Sequence, residues 1–143
     1  MKLPERYWGM SEIEIFNPES VRPPAGTYSH VARAPVGARL VVIAGQVGIG
    51  LDGKLADDFD GQCAQVFANL GAALEAAGAS WGEVIQTMSF LTRREDVPAF
   101  REWRTREFAR LFPNGRYPPS TLLIVGGLAG EEMLIEVQAI AAI

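Results

Sequence analysis

The segment Leu40-Val41-Val42-Ile43-Ala44 is apolar at every position. A strand sends alternate side chains to opposite faces of its sheet, so this run makes both faces apolar there. Leu122 to Val125 repeats the pattern. Both faces of such a sheet need cover. The rest of the chain supplies only two helical patterns. The first is opened by Asp57-Asp58 and carries Cys63, Val66, Phe67, Leu70, Ala73, Leu74 and Ala77 at spacings of three and four before Gly78 stops it. The second spans Asp96 to Leu111, with Val97, Phe100, Trp103, Phe108 and Leu111 as its stripe, and Pro113-Asn114-Gly115 ends it. Two helices cover one face of a sheet of four or more strands. A second copy of the chain is the expected cover for the other, in a closed homo-oligomer.

The remaining pattern completes an α+β chain. Tyr28 to Ala34, Val84 to Thr92, Ser120 to Val125 and Met133 to Ala142 read as strands. Ile13, Ile15 and Phe16 are candidates for a further short strand. Asp52-Gly53 is a tight-turn signal that bends Gln46 to Leu55 into a hairpin or loop. Residues 1–25 read as an extended arm, because Pro4, Pro18, Pro23 and Pro24 interrupt any helix. With 143 residues and no internal repeat or dividing linker, residues 1–143 are expected to form a single domain.

Composition excludes several functions. The formal net charge is −4, and the arginines at 93–94 and 101–110 are interleaved with acids, which argues against a nucleic-acid partner. His30 is the sole histidine and Cys63 the sole cysteine, which rules out multi-histidine metal sites and an internal disulfide. Met1 to Met10 has no apolar core of signal-peptide length, and no apolar run is long enough for a bilayer. A cytoplasmic protein with no membrane partner is expected. The glycines at 45, 48 and 50 match no phosphate-loop pattern. Trp81 and Trp103 read as packing residues. Cys63 reads as a small buried hydrophobe and His30 as a half-exposed strand residue.

Two charged residues stand out. In the last strand, Met133, Ile135, Val137, Ala139 and Ala141 form one face, whereas Leu134, Glu136, Gln138 and Ile140 form the other. Glu136 therefore points away from the helices. It is either a solvated surface carboxylate or, under a second copy, a partly desolvated one suited to water activation. Arg104 lies four residues after Phe100 and four before Phe108, on the apolar stripe of its helix. It is either a snorkelling arginine paired with Glu107 or an anion contact.

The ordered segments of this chain resemble the Rid family of imine and enamine deaminases, also called the YjgF family. They are Gly26-Thr27-Tyr28-Ser29, Leu40 to Gln46, Leu70 to Gly78, Phe90-Leu91-Thr92 with Asp96 to Phe100, Tyr117 to Thr121, and Ile135 to Ala141. The resemblance implies a chorismate-mutase-like mixed β-sheet with two helices packed on one face, in a homotrimer with clefts between subunits. It implies hydrolytic deamination of a small-molecule substrate, with no metal and no cofactor. Glu136 falls on the glutamate that positions water, and Tyr28, Gly45 and Gln46 fall on cleft positions. Three departures matter. Ser120 occupies the place of an arginine that grips the substrate carboxylate, and Leu122 replaces a cysteine of some members. Ala44 also stands where many members have serine. Arg104, which falls on a cleft-facing position, is then the candidate for a replacement anion contact, with Arg116 the weaker one. A non-catalytic small-ligand-binding or stress-type interaction protein is the alternative reading, and RNA cleavage, also associated with the family, ranks last.

Overall fold

The computed structural model describes residues 12–143; the expectations for Met1 to Met10 and for Pro4 lie outside them. Two short strands, β1 (Glu14–Phe16) and β2 (Val31–Arg33), pair antiparallel as a separate ribbon. The short strand expected around Ile13, Ile15 and Phe16 forms as β1, and the strand expected over Tyr28 to Ala34 shortens to three residues. Tyr28 N–H donates to the Gly26 carbonyl, and Ser29 makes only an isolated bridge to Pro119. Local turn bonding takes the place of a ladder there.

The main sheet has four strands: β3 (Leu40–Val47), β4 (Val84–Leu91), β5 (Ser120–Ile124) and β6 (Ile135–Ala142). Their spatial order is β3-β6-β4-β5. β6 runs antiparallel to both neighbours, whereas β4 and β5 are parallel. A parallel pair needs a crossover, and α2 (Val97–Leu111) provides it. The other helix, α1 (Phe59–Ala76), joins β3 to β4 and packs on β3 and β6. This mixed sheet with two helices is the chorismate-mutase-like architecture.

Sequence sets the helix limits. The Asp58 carboxylate accepts from Gly61 N–H at 2.7 Å and caps α1, a contact worth about 1 kcal/mol. Gly78 follows with φ +75°, a left-handed geometry that a β-carbon disfavours. Pro98 sits in the first turn of α2, where a missing N–H breaks no helical bond.

The core lies between the helices and one sheet face. Ile135, Val137, Ala139 and Ala141 of β6 are buried there with Val66, Leu70 and Leu74 of α1. Phe67 is the centre of an aromatic cluster, with Trp103 at 4.6 Å and Phe108 at 5.6 Å between ring centroids. Truncating one of these aromatics to alanine would cost about 3–5 kcal/mol. Cys63 is fully buried within the core, and burial raises its thiol pKa. Gln62, a polar residue that the helical stripe omits, is also buried. Its amide accepts from Leu134 N–H and donates to the carbonyls of Ala56 and Glu132, tying α1 to the segments around β6.

The opposite face of the sheet is uncovered in a single chain. Leu40 is 64% exposed and Val42 72%, although both stand in a continuous apolar strand. Large exposed apolar residues in register on one face mark a surface built for contact.

Candidate functional site

Glu136 projects from β6 onto that uncovered face. Its neighbours in register are Val47 on β3 and Phe90 on β4. The β3–β6 register shifts between Ile43 and Gln46, so Ala44 and Gly45 form a bulge beside it. The Glu136 side chain lies directly over Gly45: a β-carbon there would overlap Glu136 Oε1 and Cδ. Gly45 is thus the residue that leaves room for this carboxylate. Gln46 is next in β3, and its amide donates to the Ala44 carbonyl at 3.2 Å. Glu136 has no hydrogen-bond or ion-pair partner among the described residues. The alternation in β6 placed it on this face from sequence, and the bulge explains why glycine stands opposite.

Arg104 occupies a different place. It is 8% exposed and lies on the helix-covered side of the sheet. The expected pairing with Glu107 does not form. Glu107 instead accepts from Arg106 at 3.1 Å and from Arg110 at 3.3 Å. Those two arginines follow Arg104 by two and six residues, and they share the exposed face with Glu107, whereas Arg104 turns inward. The Arg104 guanidinium lies 4.6 Å from the Phe108 ring centroid and 5.7 Å from that of Phe100. Its Nη1 donates to Ser120 Oγ at 3.3 Å, and its Nη2 donates to the Thr27 carbonyl. Its Nε is buried without a partner. Burial lowers the pKa to about 10, and the Tyr28 hydroxyl opposes that shift. The result is a desolvated cation with no acid among the described residues to neutralise it.

A cavity of about 430 Å³ opens beside this guanidinium. Tyr28, Arg104, Ser120 and Leu122 all line it. So do Thr27 and Arg101, which periodicity did not single out, together with the hydroxyls of Thr105 and Thr121. The seven residues proposed from sequence therefore divide into two groups. Ser120 and Leu122 pair through Thr87 and Ser89 with Ala139 and Val137, which face the helices. Glu136 alternates with Val137 and faces the other way. Glu136, Gly45 and Gln46 are on one side of the sheet; Tyr28, Arg104, Ser120 and Leu122 are on the other. Arg116 lines neither place, and its guanidinium donates to the Ile13 carbonyl near β1. His30 is likewise separate: its N–H donates to Asn17 Oδ1 at 2.9 Å, and its ring lies 5.9 Å from that of Tyr28.

Comparison with known proteins places the chain in a family. The profile of the family described as Endoribonuclease L-PSP matches residues 19–143. The chain belongs to this family, the Rid/YjgF superfamily. It is 31% identical over 132 residues to RutC family protein PH0854 of Pyrococcus horikoshii, covering 90% of this chain and 96% of that protein. It is 35% identical over 121 residues to RutC family protein YjgH of Escherichia coli, covering 81% and 90%. Among solved structures, the Rid family protein YyfB from Yersinia pestis superposes with a TM-score of 0.81 at 27% identity, covering 92% of this chain and 99% of that one.

Proposed function

We propose that this protein hydrolyses the C–N bond of a small reactive imine or enamine, in a cleft between subunits of a homotrimer. Deamination of such intermediates is typical of the Rid/YjgF family. The observation that carries the reading is the Glu136 carboxylate, unpartnered among the described residues and accommodated by Gly45. A carboxylate with free lone pairs can accept a proton from water as that water attacks the imine carbon. The tetrahedral adduct then breaks its C–N bond. The nitrogen takes up the water proton held by Glu136 and then the proton of the adduct's hydroxyl, so that it leaves as ammonia and a carbonyl remains.

The opposed faces of the sheet support an intersubunit cleft. In one chain Glu136 and Arg104 stand on opposite sides, so a site using both takes them from different copies. The uncovered apolar face around Leu40 and Val42 supports the same assembly. Arg104, anchored by Ser120, supplies the anion contact in place of the strand arginine that Ser120 replaces. Gln46, Tyr28 and Leu122 line the cleft.

A non-catalytic ligand-binding role is the second reading. It is favoured by the cavity around Arg104, which is lined within one chain and shares no residue with the surroundings of Glu136. Ammonia release from a panel of freshly generated imines separates the two readings. Deamination predicts that Glu136→Gln lowers kcat by about 10²- to 10⁴-fold. Equal, background-level release by wild type and variant would leave the binding role.

A further inference from the structure

Arg104 is not the only cation in its cavity. Arg101, one helical turn earlier on α2, lines the same space. Residues three apart share a helix face, so both guanidiniums serve one cavity. The remaining polar side chains there are those of Thr27, Tyr28, Thr105, Ser120 and Thr121, and among the described residues no carboxylate lines it. In a chain of net charge −4, this is a local reversal of sign. Neither arginine forms an ion pair with an acid among the described residues. Nearby arginines do: Arg106 bonds Asp60 and Glu107, Arg110 bonds Glu107, and Arg93 bonds Asp96.

The two cations differ in setting. Arg104 is buried, with Nε unpartnered, and lines the cavity, whereas Arg101 is exposed. A single carboxylate on Arg104 would neutralise the buried charge and leave Arg101 unused. We infer that the cavity takes a small dianion, with one anionic group on Arg104 and the second on Arg101, and with the threonine and serine hydroxyls completing its hydrogen bonds. The inference rests on the reading of Arg104 as the anion contact and adds Arg101 as the residue that sets specificity. The second anionic group is a carboxylate or a phosphate oxygen, since a guanidinium fork matches either.

The test is a calorimetric titration of the intact protein with butyrate, succinate and 3-phosphonopropionate, repeated on Arg101→Gln and Arg104→Met. Arg101 is on the surface, so Arg101→Gln should fold normally, and an unchanged melting temperature checks this. Succinate, 3-phosphonopropionate or both should bind roughly tenfold tighter than butyrate, as expected for one added charge-assisted contact. Arg101→Gln should erase that preference and leave butyrate affinity within about twofold. The stronger of the two dianions identifies the second group. Equal affinity for all three, lost in Arg104→Met, would overturn the dianion and keep the Arg104 contact. A dianion preference that survives in Arg101→Gln would overturn the role of Arg101. Absence of binding, or binding unchanged in Arg104→Met, would overturn both.

Discussion

The Arg104 guanidinium, rooted on α2, donates to Ser120 Oγ on the edge strand β5 across 3.3 Å. A charge from one element is thereby held by a hydroxyl from another, in the cavity that both line. The arrangement fixes a guanidinium beside β5 without placing it on β5.

Arg104→Met should therefore separate stability from binding. Methionine removes a buried charge that no acid among the described residues neutralises, and the desolvation cost relieved should at least offset the two hydrogen bonds lost to Ser120 and Thr27. Thermal melting is expected at or above the wild-type midpoint. Affinity for carboxylate ligands should fall roughly 10- to 150-fold, the equivalent of about 1.5–3 kcal/mol. A variant that melts lower and binds normally would contradict both halves.

Gly45→Ala should act on Glu136 alone. The added methyl would overlap the carboxylate, so the side chain must swing away. A displacement of about 1 Å at a reacting group can cost on the order of 10²-fold in rate. Steady-state kinetics should show that loss in kcat, with little change in the affinity for inert carboxylates, because Arg104 lies across the sheet. A matched loss in both would indicate general damage.

The pH dependence follows from the Arg104 shift to about 10. Its ordinary value is higher, so from about pH 10 up to the usual arginine range the unfolded chain holds more protons at this site. Stability contributed by the site is lowest while the group is charged in both states and rises with pH through that window. Anion affinity should run the other way, constant from about pH 6 to 9 and declining as pH passes about 10. Paired titrations of wild type and Arg104→Met, taken as differences, isolate the effect from other groups that titrate there. A difference already sloping near neutrality would assign the dependence elsewhere.

The uncovered face predicts the assembly. Val42 is 72% exposed in one chain but central to the apolar strand. Val42→Asp should place an unpaired carboxylate in the proposed contact and dissociate the proposed trimer. Light scattering should give a mass of three chains for the wild type and one for the variant. A single-chain mass for the wild type would end the trimer reading.

Periodicity made much of this legible. The three- and four-residue spacing found both helices, and strict alternation put Glu136 on the face away from them. The resemblance of the ordered segments to the Rid/YjgF family anticipated the architecture. Arg104 shows where that reasoning stops. Its position on the apolar stripe was readable, but its partners were not, because Thr27 is 77 residues away and Ser120 is 16. Local spacing favoured Glu107, yet tertiary packing turned Arg104 inward and left Glu107 to its exposed neighbours. The split of the candidate residues across the sheet was also hidden. It depends on strand order, which places β6 between β3 and β4, and alternation within one strand carries no information about that. Gln62 escaped notice because a buried amide looks like a surface residue until the carbonyls it serves are in place.

The division of Glu136 from Arg104 by the sheet has a consequence for mixtures of chains. If each cleft draws its carboxylate from one subunit and its guanidinium from the next, a lone chain is inert and dilution silences the protein. Two disabled variants, Glu136→Gln and Arg104→Met, would then complement each other when co-assembled, since some clefts in a mixed ring inherit both intact groups.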